Sequence, residues 1–286
     1  METLLQPNVV PLREMLESRL DDGEIKLPVL PVVATQVIAM ANNDDIDLSD
    51  LSQLIHKDQA LAGHVLRIAN SVLFAGNTAI VSLQQAIARL GVNMIGEMAT
   101  VISIQGQVFK AKGFGKEIDQ VWKHALLSGF YGKEIARAMR KNVEAQFLCG
   151  LLHTIGKPIL FQTISDIQEE KGLIPQNEAN IPQLIDLLHP RTGQLACEKW
   201  KLPRQVQACC SFYLNRDKTS EFQDSVAMTY LGSRLAEWCL DGSELSVDTL
   251  RQEPVFTELN FYPDEVDALL EKRETVLNLM ETMVQA

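Results

Sequence analysis

The side chains of this chain with most chemistry to offer are a few imidazoles and thiols. His124 falls in a long segment with an apolar stripe, His153 near the end of a strongly apolar one just before Gly156, and His189 in a His-Pro-x-x-Gly phrase. A neutral imidazole can ligate a metal or move a proton near neutral pH. The five cysteines, Cys149, Cys197, Cys209, Cys210 and Cys239, are odd in number and lack C-x-x-C spacing. They read as reduced, buried, cytosolic thiols. Cys209 and Cys210 could form a redox switch, but neighbours at i and i+1 on a helix point in different directions and rarely bond to each other. Asn70-Ser71 could line a small pocket, yet both residues suit the end of a helix and the turn after it. Lys110, Lys112 and Lys116 around Gly113 and Gly115 read as a solvated loop.

The elements that must position these groups carry the helical period almost throughout. Asp58 is placed to cap a helix with Leu61, Val65, Ile68 and Ala69 on one face, ending near Asn70-Ser71. Ser82 caps the next, with Leu83, Ala86, Ile87 and Leu90 in register before Gly91 closes it. Asn93 opens a longer apolar helix, and a longer one still runs from Gly115 to about Arg140. Val143 to Ile155 is apolar nearly all round, the mark of a central helix. Further helices are predicted after Pro158, from Pro182, over Arg191 to Trp200, from Pro203, and over Val226 to Leu240. A polar loop is expected around Pro175 to Asn180, and a single apolar-striped terminal helix opens at Pro263-Asp264. Polar residues from Asn215 to Glu221 interrupt the pattern and suggest a subdomain boundary. The resulting fold class is all-α, a compact multi-helix body.

Composition sets the outer limits. The chain has 286 residues, 46% of them hydrophobic, enough for a large core. Lys plus Arg number 26 against 37 Asp plus Glu, a formal net charge of −11, without a basic stripe. Nucleic acid is therefore not an expected partner. No basic n-region precedes an apolar run at the N-terminus, and no run of about 18 uncharged apolar residues occurs, so a membrane span is not expected and a cytoplasmic location is.

Several phrases together resemble a known family. Leu27-Pro28-Val29-Leu30-Pro31, then Asp58, Leu61, Leu66, Arg67, Asn70 and Ser71, then Ala86-Ile87 with Leu90-Gly91, look like the first half of the HD-related output domain. Trp122-x-His124, Gly150-Leu151-Leu152-His153 with Ile155-Gly156, and Trp200-x-Leu202-Pro203 resemble its second half. The likeness covers residues 27–215, leaving 1–26 as an N-terminal helical segment and 216–286 as a C-terminal helical extension or subdomain. It implies a helical offshoot of the HD phosphohydrolases, found in bacterial signalling proteins.

The same resemblance implies a ligand set. Catalytic relatives hold metal with a His, an adjacent His-Asp pair, further histidines and a late Asp, so that the ion lowers the pKa of an attacking water. His124 matches the first His and His153 the His of the pair, but Thr154 replaces the Asp. His189 matches a further ligand; the expected His-His pair falls on Tyr213-Leu214 and the late Asp on Ser233. Three imidazoles without a carboxylate suit magnesium or manganese poorly, and zinc or nickel better. No catalytic residue and no cofactor are therefore expected; any residual divalent metal (Zn, Ni, Mn or Fe) would sit on His124, His153 and His189. The implied function is a non-catalytic signal-transduction module that binds another signalling protein. The rivals are a metal-dependent phosphohydrolase acting on a nucleotide or cyclic dinucleotide, and a sensor that binds a nucleotide second messenger without cutting it. No Gly-rich phosphate loop or arginine cluster marks the last of these.

Overall fold

A computed structural model describes residues 10–29, 35–36, 53–74, 78–108, 111–171, 181–240 and 245–285. Leu30-Pro31, Lys110 and the Pro175 to Asn180 loop lie outside these. No strand occurs among the described residues. In chain order the helices are α1 (Val10–Asp21), α2 (Gln59–Ala69), α3 (Leu83–Leu90), α4 (Val92–Val108), α5 (Gly115–Ala138), α6 (Val143–Leu152), α7 (Gly156–Lys171) and α8 (Ile181–Lys199). Then follow α9 (Arg204–Phe212), α10 (Gln223–Cys239), α11 (Val247–Arg251), α12 (Pro254–Glu258), α13 (Pro263–Leu270) and α14 (Arg273–Val284).

Local chemistry sets the starts and stops. Asp58 accepts the Leu61 N–H at 3.0 Å, and Ser82 the Gln85 N–H at 3.2 Å. Each satisfies a helix donor that would otherwise lack a partner. Asn70 ends α2 and also clamps the loop beyond it: its amide donates to the Leu66 and Ile80 carbonyls at 2.9 and 2.8 Å, and its oxygen accepts the Ile80 N–H at 2.8 Å. The helix-end reading of this residue therefore fits the structure. Gly91 closes α3 at φ +83°, a left-handed seat that suits glycine.

Four expectations need correction. The helix assigned to Asn93 begins one residue earlier, at Val92. The helix opened by Pro182 and the one over Arg191 to Trp200 are a single helix, α8, that runs through Pro190. Pro190 removes one helix donor, but the buried face of Leu184, Ile185, Leu188, Thr192 and Ala196 continues across it and outweighs that loss. The single terminal helix is two, α13 and α14, joined by the Glu271-Lys272 turn. Finally, the helix placed after Pro158 starts at Gly156, with the proline in its first turn, where a missing N–H costs little.

The core is organised around α5, with α6 and α10 packed along it. Small residues let these backbones touch. A Cβ on Gly150 of α6 would lie 2.4 Å from the Ser128 carbonyl oxygen of α5, and one on Gly232 of α10 would lie 3.0 Å from the same oxygen. This close approach brings the end of α6 and the middle of α10 against the middle of α5. A buried ion pair joins α4 to α5: the Lys133 ammonium lies 2.6 Å from both Glu97 carboxylate oxygens. The Trp200 indole N–H donates to the Pro28 carbonyl at 2.9 Å, so two of the phrases that carry the family resemblance meet in space.

The stretch Val143–Glu170, spanning α6 and α7, is long and apolar enough to cross a membrane by length and composition, but 89% of its apolar window is buried inside the protein. The paired segments Leu83–Leu90 and Val92–Gly106 pass the same test only together, across a 117° bend.

Helix ends also yield a stability prediction. Arg140, Lys201 and Asn260 hold left-handed φ values of 55°, 55° and 59° just beyond α5, α8 and α12. The next N–H in each case returns to the helix, as Leu202 does to the Cys197 carbonyl at 2.9 Å. A side chain in that seat is strained, and glycine relieves the strain at the expense of more unfolded-state freedom. Lys201→Gly should therefore raise unfolding free energy by about 0.5–1 kcal/mol in urea titration. A fall would show that the lysine side chain contributes more than its backbone costs.

Candidate functional site

Five helices and the α6–α7 turn bring the six sequence-derived positions together. His124 projects from the middle of α5, His153 caps the end of α6, and Thr154 follows in the turn. His189 lies on α8, Tyr213 caps α9, and Ser233 lies on α10. The His124 and His153 rings have centroids 5.4 Å apart. Tyr213 stands edge-on to His153 at 4.6 Å, and its hydroxyl is 3.3 Å from His189 Nε2. Thus Ser233 faces His124, and Tyr213 bridges His153 and His189. Leu214, the second residue at the expected His-His position, instead faces outward and is 49% exposed.

Hydrogen bonds fix the orientation of two imidazoles. His153 Nδ1 is 2.6 Å from the Gly150 carbonyl oxygen, which can only accept, so the proton sits on Nδ1 and Nε2 keeps its lone pair. His124 Nε2 is 3.2 Å from the Ser233 carbonyl and by the same argument donates to it, with the Ser233 hydroxyl also in reach at 3.3 Å. His153 Nε2, Thr154 Oγ1 and His189 Nδ1 are buried and have no hydrogen-bond partner in the protein.

All three imidazoles are held neutral. Burial pushes the His124 pKa down to about 4, and the nearby Lys157 ammonium adds to that effect. His153 and His189 are lowered well below 6.5, again chiefly by burial, with Lys157 and the neighbouring imidazoles contributing. Burial likewise raises the Tyr213 hydroxyl, so the ring stays protonated and able to donate. Lys157 is paired with Asp186 at 2.7 Å, placing one ion pair beside the imidazoles. Sequence reasoning missed both residues. The signals were there: Lys157 directly follows Gly156, and Asp186 lies three residues before His189, on the same face of α8.

A pH dependence follows. Histidines with depressed folded pKa values keep their full contribution to stability above the unfolded value of about 6.5. Below it the unfolded chain takes up protons that the folded chain refuses, so stability falls with pH. For His124 the loss runs from pH 6.5 to about 4. The fully buried His153 and His189 should each contribute a slope approaching ~1.4 kcal/mol per pH unit, and the partly exposed His124 less. Urea unfolding at pH 7 and pH 5 measures it: His189→Gln should flatten the slope, and an unchanged slope would refute this origin.

The donor set does not fit a divalent metal. Asp186 is taken up by Lys157, and the Tyr213 ring packs against both His153 and His189, with its hydroxyl on His189 Nε2. Among the described residues, no group of three or more His, Cys, Asp or Glu side chains is arranged to hold a metal ion.

Comparison with known proteins agrees with the fold. The HDOD domain profile matches residues 27–215. An HDOD domain protein of unknown function from Geobacter sulfurreducens is similar with a TM-score of 0.73 and 19% identity, over 96% of this chain and 98% of that one. A Shewanella amazonensis SB2B protein, provisionally named a metal-dependent phosphohydrolase, gives 0.71 at 20% identity, over 96% and 100%. A Marinobacter aquaeolei VT8 protein, provisionally named a signal transduction protein, gives 0.68 at 18%, over 99% of this chain and 68% of that one. In sequence, an uncharacterized protein of Treponema pallidum (strain Nichols) is 25% identical over 247 residues, 83% of this chain and 46% of its own length. The chain thus spans about half the length of that relative. Structural likeness at such identity speaks for the fold alone. The profile match, however, covers well over half the chain, in an all-helical body whose Leu27-Pro28 and Trp200 phrases meet as described, and this chain belongs to the HDOD domain family.

Proposed function

We propose that this chain is a non-catalytic signal-transduction module that acts in the cytoplasm by binding another signalling protein. The observation that carries the reading is Tyr213. Its ring is only 4% exposed and lies where His153 and His189 would otherwise face one another, with its hydroxyl on one imidazole and its edge on the other. A site packed this way serves as a polar core that joins α6, α8 and α9. Outside it, Leu187 and Leu214 are 53% and 49% exposed, apolar side chains next to the helices that the core joins. Isolated apolar side chains at a surface are ordinary, but these two flank the positions at which a bound partner would sense a shift of α8 against α9.

The test is metal analysis of protein purified without added metal, together with a phosphodiester and nucleotide panel assayed with manganese. Metal far below stoichiometric and no turnover are expected. Near-stoichiometric zinc, manganese or iron that is lost in His153→Ala would overturn the reading, as would turnover abolished by His124→Ala.

One observation favours a second reading, a sensor that binds a nucleotide without cutting it. Buried polar atoms normally find a partner, yet His153 Nε2, His189 Nδ1 and Thr154 Oγ1 have none in the protein. Thermal-shift screening with cyclic dinucleotides and guanosine tetraphosphate discriminates the two. A dose-dependent rise removed by His189→Gln would favour the sensor, and flat melting curves the partner-binding module.

A further inference from the structure

Four of the five thiols gather behind the imidazole site, on α6, α8 and α9. Cys197 Sγ lies 3.4 Å from Cys210 Sγ, and Cys210 in turn donates to the Leu152 carbonyl at 3.2 Å. Since the Cys210 proton is directed at that carbonyl, Cys197 is the donor between the two sulfurs. Cys149 on α6 and Cys209 on α9 lie near enough that each thiol bears on the other, and the Cys149 thiol is pushed up. The four are free and fully buried. Sequence spacing gives no hint of this: Cys197 and Cys210 are 13 residues apart, on different helices. Gly193 lies one turn before Cys197, where a Cβ would stand 3.6 Å from Cys210 Cβ, an ordinary packing distance.

We propose that Cys197 and Cys210 form a reversible intramolecular disulfide under peroxide, a covalent clamp between α8 and α9. A disulfide needs the sulfurs near 2.05 Å, a closure of roughly 1.4 Å that side-chain rotation and a small slide of the short helix α9 can supply. Hydrogen peroxide oxidises the Cys197 sulfur to a sulfenic acid, its O–O bond breaking and one water leaving. The Cys210 sulfur attacks that sulfur, the S–S bond forms, and the displaced hydroxide leaves with the Cys210 proton as a second water. Two electrons pass from the two thiols to the peroxide. Buried, protonated thiols react slowly, so the step follows local opening of α9 and proceeds over hours. His189 on α8 and Tyr213 at the end of α9 lie in the two helices joined, so the bond would fix their mutual placement.

The experiment treats the reduced full chain with hydrogen peroxide while circular dichroism shows it folded. Free thiols are then alkylated in denaturant and tryptic peptides mapped by mass spectrometry. Cleavage after Arg191, Lys199, Arg204 and Arg216 separates the two cysteines, and fragmentation distinguishes Cys210 from Cys209. The expected result is one linked pair, Cys197 with Cys210, reversed by dithiothreitol and absent in Cys197→Ser. The melting temperature should rise by about 5 °C on oxidation, as expected for closing a short loop. Five alkylatable thiols after prolonged exposure, a Cys149–Cys209 link in its place, a link through Cys239, or sulfinic acid at Cys197 would each overturn the proposal. An unchanged or lower melting temperature of the linked protein would overturn the clamp. The wild-type peptide map decides the linkage even if the serine variant fails to fold.

Discussion

Lys133→Met should lower the unfolding free energy by about 3–5 kcal/mol at pH 7, a large part of the 5–15 kcal/mol typical of a folded domain. The Lys133 and Glu97 side chains are 13% and 6% exposed, so neither charge is well hydrated when alone. Even with its partner, Glu97 has its pKa raised, because burial outweighs the pull of the ammonium. Removing Lys133 leaves a carboxylate with nothing to balance its desolvation. Removing both charges is a different matter. Lys133→Met combined with Glu97→Leu should regain most of the loss, since an apolar pair of similar volume avoids the desolvation penalty altogether. The sign with pH is also set. A carboxyl whose folded pKa lies above its unfolded value favours folding least when ionised, so the Lys133→Met defect should shrink as pH falls toward the carboxylate range. Urea titrations of wild type, both single variants and the double variant measure the coupling. If the double variant is no more stable than Lys133→Met, the pair is not acting through desolvated charge.

Gly156→Ala should cost about 3–4 kcal/mol, at the upper end for inserting a methyl group into a packed interior. A Cβ at this position would stand 2.0 Å from the His189 carbonyl oxygen and 2.8 Å from the Gly193 amide nitrogen. Both are backbone atoms, so no side chain can rotate away. The start of α7 would have to separate from α8, and His189 would move with it. Gly63 supplies the control, since it lies within α2 with no atom inside 4 Å of a built Cβ. Gly63→Ala should stabilise by about 0.5–1 kcal/mol through helix propensity alone. Equal effects at the two positions would sink the steric argument.

Much of this fold is written locally. The caps at Asp58, Ser82 and Asn142 are short-range chemistry and can be read from residue types. The path of α8 through Pro190 cannot, because it depends on a buried face that only the assembled bundle supplies. At the site, the three histidines are visible as types, and Tyr213 and Ser233 emerge by counting along the family resemblance. That Tyr213 fills the gap between imidazoles is a matter of ring placement, which counting does not convey. Lys157 and Asp186 escape because a paired charge on a helix face looks like ordinary solvated surface. The Cys197 and Cys210 contact escapes for another reason: it is made across two different helices, whose approach only the assembled bundle sets.

Helix α10 lies wholly beyond residue 215, where the HDOD match ends, yet it packs along α5 and supplies the Ser233 carbonyl that orients His124. Its buried face includes Val226, Leu231 and Leu235. A fragment cut at the edge of the family match would therefore strip one wall from its central helix and present raw core to solvent. The inherited sequence unit and the cooperative folding unit differ in length here, and expression, domain grafting or fusion design should follow the second.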